Sequence, residues 1–239
     1  MDKTKRPYVI CHMIASVDGK IDGDYFKMPE LTPVLAASHE IRAEYGCKAV
    51  LNGAVTAAEI YADGYREQPE ETAEHFPRED MAVKTDLDAF AVAVDIEGRL
   101  NWNKGYVERR GSRSHIIVVL TENVPDDYIA QLRKHQISYL FAGKEALNVP
   151  LMLEKLKSLF GIERLLISGG GVLNWSFLQA GCLDEFSLVI APLTDGMTNT
   201  ASLFDRSPYI TQNVPTAFSL TDVKRLPGDG IWLRYCPKQ

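Results

Sequence analysis

The stretch ISGGGVLNWSFLQAG, residues 167–181, places three consecutive glycines between an apolar run and a segment with a helical pattern. The first turn of a helix carries unpaired backbone N–H groups and the positive end of the helix dipole, and both attract phosphate. Glycines there allow positive φ angles and close approach of an anion. Gly169–Gly171 therefore either hold a phosphate group or form a tight turn. Neither phosphate-loop motif, GxGxxG or GxxxxGKS/T, is present to decide between them.

A second strand–glycine–helix junction lies in VLNGAVT, residues 50–56. Gly53 ends the strand, and Thr56 falls in the first turn of the helix that follows. The Thr56 hydroxyl either caps that helix or bonds a phosphate oxygen. Two such junctions in one sheet favour a ligand that carries two phosphates along the carboxyl ends of the strands.

The polar stretch ASVDGK, residues 15–20, follows the first predicted strand. Asp18 and Gly19 are typical turn residues, and Lys20 is then a solvated side chain. Alternatively, the end of this strand forms one wall of a cleft, and Asp18 and Lys20 point to a polar ligand.

These groups can be positioned only by the strands that end beside them. Buried strands are predicted in the apolar runs PYVICHMI, KAVLNG, HIIVVLT and ERLLIS, with helical patterns between them. The tail adds two strands, AFSLTDV and IWLRYC, joined by the turn LPGDG. This alternation predicts an α/β fold: a mostly parallel central sheet flanked by helices, with antiparallel C-terminal strands, in a single domain spanning residues 1–239.

Capping residues mark the ends of two predicted helices. Thr32 is expected to cap the helix LTPVLAASHEIRAEYG, and Gly46 is expected to end it. Gly161 is the expected end of the helix VPLMLEKLKSLFG.

The segment from Asp63 to Asp88 is charged and poor in aliphatic residues. A loop of this length is uncommon unless it is a lid, a binding loop or an insertion. Its residues Arg66 and Arg78 are expected to be solvated, with contact to a phosphorylated substrate as the alternative.

The composition excludes several classes of protein. The chain has 239 residues and is 46% hydrophobic, which suits a globular protein with a sizeable core. Its formal net charge of −6 and its lack of a long basic run argue against general nucleic-acid binding. No apolar run approaches the ~20 residues of a membrane helix, and the start of the chain does not resemble a signal peptide. We therefore expect a cytoplasmic protein with a small-molecule substrate.

Cysteines and histidines do not cluster in a way that suggests a metal site. Cys11, Cys47, Cys182 and Cys236 are scattered without a CxxC pair, and we expect reduced thiols. The 5 histidines are dispersed as well. His12 lies inside an apolar strand, where a histidine is usually a hydrogen-bonded core residue rather than a catalytic one.

The order of RPYVICHMIASVDGKIDG, IRAEYGCKAVLNGAVT, AVDIEGRL and ERLLISGGGVLNWSFLQAGCLDEFSLVIAPLTDG resembles the riboflavin-biosynthesis reductase domain. That domain occurs at the C-terminal end of the bifunctional deaminase/reductase and as stand-alone pyrimidine reductases, and its fold is dihydrofolate-reductase-like. The resemblance covers nearly the whole chain. Its most specific part is residues 165–196, where the glycines, the helix, AGCLDE and IAP follow one another.

The resemblance implies an enzyme that binds NADPH along the carboxyl ends of its strands. Gly53 and Thr56 would contact one phosphate region. Thr121 would lie near the adenosine ribose and its 2′-phosphate, and Ala15 would meet the nicotinamide through its backbone. The pyrophosphate would be held by Ser168, Gly169, Gly170, Gly171, Val172 and Leu173.

The implied reaction is that of 5-amino-6-(5-phosphoribosylamino)uracil reductase, in which hydride passes from the nicotinamide to C1 of an opened ribosylamine and gives a ribitylamine. Ser16, Asp18 and Lys20 would face the substrate. A proton must also reach the substrate, and Asp18 and bound water are the candidates for its source. The relatives are homodimers, so a homodimer is expected.

Several features on the substrate side depart from the family pattern. Ser168 stands where the family usually has Glu, and His12 where it often has Lys. The stretch EIYADG replaces an Asp-rich one, and the loop from Asp63 to Asp88 lacks the usual pattern. Two alternatives therefore stay open beside a pyrimidine reductase: a reductase of the same fold with an unrelated small substrate, and a nucleotide-binding protein without reductase chemistry.

Overall fold

The chain divides into two compact units, and each is described by itself. The computed structural model describes residues 2–67, 74–109, 111–206, 210 and 213–238. The first unit is built from Tyr8–Cys47 and Arg164–Gln239, and the second from Asp2–Pro7 and Lys48–Glu163.

Helices and strands alternate along most of the described residues, as the sequence pattern predicts. The strands are β1 (Tyr8–Ser16), β2 (Ala49–Gly53), β3 (Phe90–Val94), β4 (Tyr106–Arg109), β5 (Ser112–Leu120), β6 (Ser138–Phe141), β7 (Arg164–Ile167), β8 (Glu185–Ala191), β9 (Phe218–Arg225) and β10 (Ile231–Pro237). The helices are α1 (Thr32–Glu44), α2 (Ala54–Ile60), α3 (Asp126–Lys134), α4 (Val149–Phe160) and α5 (Gly171–Gln179).

The first unit has the strand order β7–β1–β8–β10–β9, with α1 and α5 as its helices. β7, β1 and β8 run parallel, and β10 is antiparallel to both β8 and β9. Val9, Ile10 and Cys11 of β1 are fully buried, as is typical of a central parallel strand. Because the three strands are parallel, the turns that follow β1 and β7 leave the sheet at the same edge.

The second unit has the strand order β2–β3–β5–β6, all parallel, with β4 antiparallel to β5. β4 was not expected from the sequence. It has four residues, and Val107 is the only one of them that is buried, so no alternation is long enough to be recognised. The expected parallel strands and antiparallel C-terminal strands are present, and the predicted α/β class is confirmed.

The predicted helix ends are partly confirmed. Gly46 and Gly161 follow α1 and α4 with φ angles of +58° and +65°, as glycine caps do. The predicted cap by Thr32 is wrong. A 3₁₀ turn, Pro29–Leu31, runs directly into α1, and the backbone N–H of Thr32 donates to the carbonyl of Pro29. The chain is therefore already helical where a capping side chain would have to act.

The predicted loop between α2 and β3 contains no helix or strand in its described part. Residues 68–73 lie outside the described residues. The prediction that Arg66 and Arg78 are solvated is not confirmed. Arg66 is mostly buried and pairs with Asp127, and Arg78 is partly exposed and pairs with Asp126, both at the start of α3. These ion pairs tie the described loop to one helix, and the contact of either arginine with a phosphorylated substrate stays a prediction.

A hydrogen-bonded cluster lies in the core of the second unit. The Tyr128 hydroxyl donates to Asp95 Oδ2 at 2.7 Å and accepts from Trp102 Nε1 at 2.8 Å. Asp95 also accepts the backbone N–H groups of Arg99 and Leu100, at 3.1 and 2.8 Å, and so fixes the turn after β3. All three side chains of the cluster are buried.

Among the described residues, no helix is both long and apolar enough to cross a bilayer.

Replacing Tyr128 with Phe is expected to destabilise the protein by about 1–3 kcal/mol, because Trp102 and Asp95 each lose a buried hydrogen-bond partner. Urea denaturation of Tyr128→Phe against the wild type measures this difference. Tyr65→Phe is the matched control, since Tyr65 is 46% exposed. Equal stability of Tyr128→Phe and Tyr65→Phe would contradict a stabilising role for the cluster.

Candidate functional site

The glycine turn, residues 168–171, joins β7 to α5, and it consists of Ser168 followed by three glycines. Gly169 and Gly170 have φ angles of +109° and +57°, which favour glycine. No side chain caps α5, and the first N–H groups of a helix have no carbonyl partner within it. A Cβ at Gly170 would meet nothing within 4 Å, so an anion can approach the turn from this side.

The other side of the turn is closed by residues 193–205, called here the 193–205 segment. A Cβ at Gly171 would clash with the carbonyl oxygen of Ser202 and the carboxylate of Asp205, so glycine is required there. Asn174 of α5 donates from Nδ2 to the carbonyl of Leu203 at 2.9 Å. The segment therefore holds the first turn of α5 and leaves the Gly170 side open.

The stretch ASVDGK forms a turn at the end of β1, as one of its two interpretations predicts. The Ser16 hydroxyl donates to Asp18 Oδ1 at 2.5 Å and accepts the backbone N–H of Lys20 at 3.0 Å. The backbone N–H of Ser16 donates to the carbonyl of Lys20 at 2.9 Å. Because Ser16 is buried, its hydroxyl serves the turn itself.

Asp18 is an ionised anchor for the 193–205 segment. Its carboxylate accepts the Ser16 hydroxyl and the backbone N–H groups of Asp195 and Gly196, at 3.2 and 2.8 Å. These hydrogen bonds, that of Ser16 foremost, lower the pKa of Asp18 to about 2. A carboxyl group with this pKa is deprotonated at neutral pH. Asp18 is therefore unsuited to the role of proton donor that the sequence suggested for it.

Lys20 contacts the same segment. Its Nζ donates to the carbonyl of Thr200 at 3.1 Å, and its backbone forms an isolated bridge with Ser202. The backbone N–H of Ile21 donates to the carbonyl of Ala201 at 3.0 Å. The polar turn after β1 and the glycine turn after β7 are thus both packed against the 193–205 segment.

Three further predicted residues of this unit lie in β1 and α5. Ala15 is buried near the end of β1 and pairs with Ile190 of β8. In the first turn of α5, Val172 is exposed and Leu173 is buried. Val172 is thus the only side chain of that turn that faces solvent beside the open glycine.

In the second unit, β2 passes directly into α2 at Gly53. A Cβ at Gly53 would meet nothing within 4 Å, and no side chain caps α2. Thr56 is therefore not the cap of this helix, which was one of its two predicted roles. Its role toward a phosphate stays a prediction.

Thr121 follows β5 and is completely buried. Its hydroxyl donates to the carbonyl of Ile96 at 2.6 Å, which ties the end of β5 to the turn after β3. The Thr121 hydroxyl is thus bonded within the second unit. The next residue, Glu122, is exposed. The predicted contact of Thr121 with an adenosine ribose stays a prediction.

His12 is a hydrogen-bonded core residue, as predicted. Its Nδ1 lies 2.8 Å from Ser187 Oγ, and its Nε2 lies 2.8 Å from Ser38 Oγ. The indole N–H of Trp232 also donates to Ser187 Oγ, so the proton of Ser187 is free to point to Nδ1. Burial, reinforced by Arg42, lowers the pKa of His12 to about 3, so the imidazole is neutral.

A cavity lies at the amino-terminal ends of the strands in the first unit. It is lined by Tyr8, Tyr45, Arg164, Glu185 and Arg234, among others. Burial opposes ionisation of Glu185, but hydrogen bonds from Arg234 and Tyr45 outweigh it and lower the pKa of the carboxyl. The polar groups of this cavity thus form hydrogen bonds with one another. The predicted site lies at the other, carboxyl, ends of the strands, and we therefore assign the cavity a structural role.

Within the described parts of the chain, no group of three or more His, Cys, Asp or Glu residues could hold a metal ion. The four cysteines are free thiols.

The sequence did not reveal two contributors to the glycine turn. The letters of the 193–205 segment are typical of a loop and do not indicate what it packs against. Arg42 donates from Nη1 to Ser168 Oγ at 2.9 Å, across 126 residues of chain. The sequence contained one hint of this contact: Ser38 and Arg42 are four residues apart, so both side chains lie on one face of α1.

The chain matches the family described as the RibD C-terminal domain over residues 7–231. A curated relative from Methanothermobacter thermautotrophicus, named 2,5-diamino-6-ribosylamino-4(3H)-pyrimidinone 5′-phosphate reductase, is 30% identical over 84% of this chain and 84% of its own. A relative of the same name from Archaeoglobus fulgidus is 22% identical over 86% of this chain and 89% of its own.

Solved structures share the fold at low sequence identity. A pyrimidine reductase-like protein from Corynebacterium diphtheriae is 15% identical, with a TM-score of 0.69 over 99% of this chain and 94% of its own. The riboflavin biosynthesis reductase Rib7 from Saccharomyces cerevisiae is 15% identical, with a TM-score of 0.62 over 100% of this chain and 93% of its own.

Replacing Asp18 with Ala is expected to release the 193–205 segment, because the backbone N–H groups of Asp195 and Gly196 lose their acceptor. Hydrogen exchange resolved to single residues should show lower protection of these two amides. In the wild type we expect the same loss of protection in acid. As the pH falls from 3.8, the ordinary pKa of an aspartate, to about 2, the pKa of Asp18 in the folded protein, Asp18 becomes protonated and its contribution to stability is lost. Unchanged protection in the variant would show that other contacts hold the segment.

The neutral His12 is expected to make the protein less stable in mild acid. The unfolded state takes up a proton near pH 6.5 and the folded state only near 3, so stability is lost as the pH falls through this interval. Between pH 6.5 and 5 this group alone contributes a loss of about 2 kcal/mol. Urea denaturation at both pH values should give a smaller loss for His12→Gln than for the wild type. An equal loss of stability in His12→Gln and in the wild type would contradict the assignment of a neutral, buried His12.

Proposed function

This chain belongs to the family of RibD C-terminal domains, and on that premise we propose that it is an NADPH-dependent oxidoreductase of riboflavin biosynthesis. Its proposed substrate is 2,5-diamino-6-ribosylamino-4(3H)-pyrimidinone 5′-phosphate, the compound in the names of two curated relatives. The family match spans residues from both compact units, which supports one reductase domain made of the whole chain.

The glycine turn is the observation that carries this proposal. It offers the uncapped N-terminus of α5, and a Cβ at Gly170 would fill the space that an anion needs. The residues present therefore fit the pyrophosphate of a dinucleotide. Asp205 does not block this approach, because its carboxylate accepts the N–H of Ser202 on the closed side of the turn.

The cofactor contacts that we propose follow from this arrangement. The pyrophosphate is held by backbone N–H groups at Gly169, Gly170, Gly171, Val172 and Leu173, with Ser168 at the start of the turn. A second phosphate contact is assigned to Gly53 and Thr56, the nicotinamide contact to the backbone of Ala15, and the ribose contact to the region of Thr121.

When bound, NADPH supplies the hydride that reduces C1 of the opened ribosylamine to the ribitylamine. The accompanying proton goes to the nitrogen of the former ribosylamine. Because Asp18 is ionised, we assign this proton to bound water. Ser16 and Asp18 hold the turn that forms the substrate side of the site, and Lys20, whose ammonium donates to the carbonyl of Thr200, supplies a positive charge there.

A reductase of the same fold with a different small substrate is the second candidate. Ser168 in place of Glu and a neutral His12 in place of Lys favour it, because both change the charge expected on the substrate side. A nucleotide-binding protein without reductase chemistry is the third. We further propose a cytoplasmic homodimer, as the resemblance and the four free thiols suggest.

The proposed activity is tested by titrating the protein with NADPH and then measuring oxidation of NADPH at 340 nm with the diaminopyrimidinone phosphate. Binding with turnover supports the proposal. Binding without turnover on any ribosylamino-pyrimidine favours one of the other two candidates. Rescue of a riboflavin-requiring reductase mutant tests the same activity in cells. If NADPH and NADH both fail to bind at millimolar concentration, every cofactor assignment is wrong.

Replacing Gly170 with Ala is expected to weaken NADPH binding at least about tenfold, because the new Cβ occupies the open side of the turn. Gly181→Ala is a matched control at the other end of α5. Gly181 has a φ angle of +64°, and its Cβ would also meet nothing within 4 Å. Both variants therefore carry a similar backbone cost. Equal NADPH affinity of the two variants would show that the turn does not hold the cofactor.

A further inference from the structure

β9 is the edge strand of the sheet in the first unit. β10 pairs with it on one side, and the described residues place no strand on its other side. Six of its eight residues are exposed, so most of the strand is open to solvent on both faces. Its outer edge therefore offers backbone N–H and C=O groups to a further strand.

The backbone of Val223 faces this outer edge. Its N–H donates to the carboxylate of the neighbouring Asp222 at 2.9 Å, so it takes no part in the ladder with β10. In an antiparallel ladder the N–H and C=O of one residue point to the same side, and the C=O of Val223 is therefore directed outward as well. In the single chain, Asp222 thus satisfies an edge amide that a second strand could bind instead.

One face of β9 is apolar. Val223 pairs with Leu233 of β10, and Leu220 pairs with Tyr235 beyond a shift in the register. Leu233 and Tyr235 are two residues apart on β10, so all four side chains lie on the same face of the sheet. Val223 is 56% and Leu220 54% exposed. This apolar strip reaches the edge of the sheet and would continue onto a strand added there.

The other face of β9 carries charges that are complementary to a second copy of the same strand. Asp222 and Lys224 flank Val223 and share one face, since they pair with Arg234 and Trp232 of β10. When two copies of β9 run antiparallel with Val223 opposite Val223, each Asp222 lies opposite the Lys224 of the other copy. These are the non-hydrogen-bonded pairs, whose side chains lie closest, because the backbone of Val223 forms the hydrogen-bonded pair. A parallel, in-register copy would instead place like charges opposite each other.

We propose that β9 is the surface through which a second copy of this chain binds, by antiparallel pairing of the two strands about Val223. Each N–H of Val223 then donates to the carbonyl of the facing Val223, and Asp222 turns from that amide to Lys224 of the other copy. The apolar strips of both copies meet at the same two-fold axis. This inference rests on the proposed function only for the homodimer, and it does not depend on the reductase chemistry.

Charge reversal tests the register, with the oligomeric state measured by analytical ultracentrifugation over a range of protein concentrations. The wild type is expected to dimerise reversibly, because a contact of one strand is small for a protein interface. Asp222→Lys and Lys224→Asp each place two like-charge pairs beside the axis and are expected to raise the Kd of the dimer about tenfold. The double variant Asp222→Lys/Lys224→Asp restores opposite charges and should return the Kd to within about threefold of the wild type.

Val223→Asp is expected to abolish dimerisation, because it places two carboxylates opposite each other at the axis. Val214→Asp is the matched control, since Val214 is 60% exposed and lies before β9. It should dimerise as the wild type does. Circular dichroism and urea denaturation check that each variant is folded. An equal loss of the dimer in Val214→Asp, or no recovery in the double reversal, would overturn the proposed register.

The oligomeric state of the wild type is measured apart from NADPH binding and turnover, so the two proposals fail separately. A dimer that shows these effects but does not bind NADPH would support the interface and contradict the reductase function. A wild type that turns over NADPH but stays monomeric at all concentrations would overturn the interface and leave the edge of β9 to a strand of another protein.

Discussion

The three glycines of the turn have no side chains to hold them, and the function proposed for this chain depends on how neighbouring residues fix their backbone. Glycine has the largest conformational freedom of any residue, so a turn of three glycines is well defined only if its neighbours restrict it. Arg42 holds the entry through Ser168, and the 193–205 segment holds the exit at Gly171. The middle of the turn is left open to an anion.

Acidic side chains of the first unit also help to hold the segment that packs against the glycine turn. Asp18 binds backbone N–H groups of the 193–205 segment, and Asp205 binds the N–H of Ser202 within it. Glu185 is paired with Arg234 at the opposite ends of the strands. Asp18 and Asp205 are thus engaged in contacts with the 193–205 segment, which closes one side of the turn. This arrangement suits the proposed phosphate contact, because a free carboxylate on the open side of the turn would repel an anion.

Local patterns predicted much of the fold. Apolar runs identified the central strands, since a strand buried on both faces needs few polar residues. The glycines after α1 and α4 marked helix ends correctly, because a left-handed residue at that position is a local requirement. Thr32 failed as a cap for a reason that is also local but depends on the preceding 3₁₀ turn. β4 was missed because it carries a single buried residue.

The sequence by itself determined the strand–glycine–helix turn and the family to which the chain belongs, because both are encoded in residues adjacent along the chain. Only the tertiary structure decided the state of the polar side chains around that turn. It showed that Asp18 binds the 193–205 segment, that Arg66 is paired with α3, and that Arg42 donates to Ser168. Such pairing depends on partners far away in sequence, and those partners meet only when the strands are brought side by side.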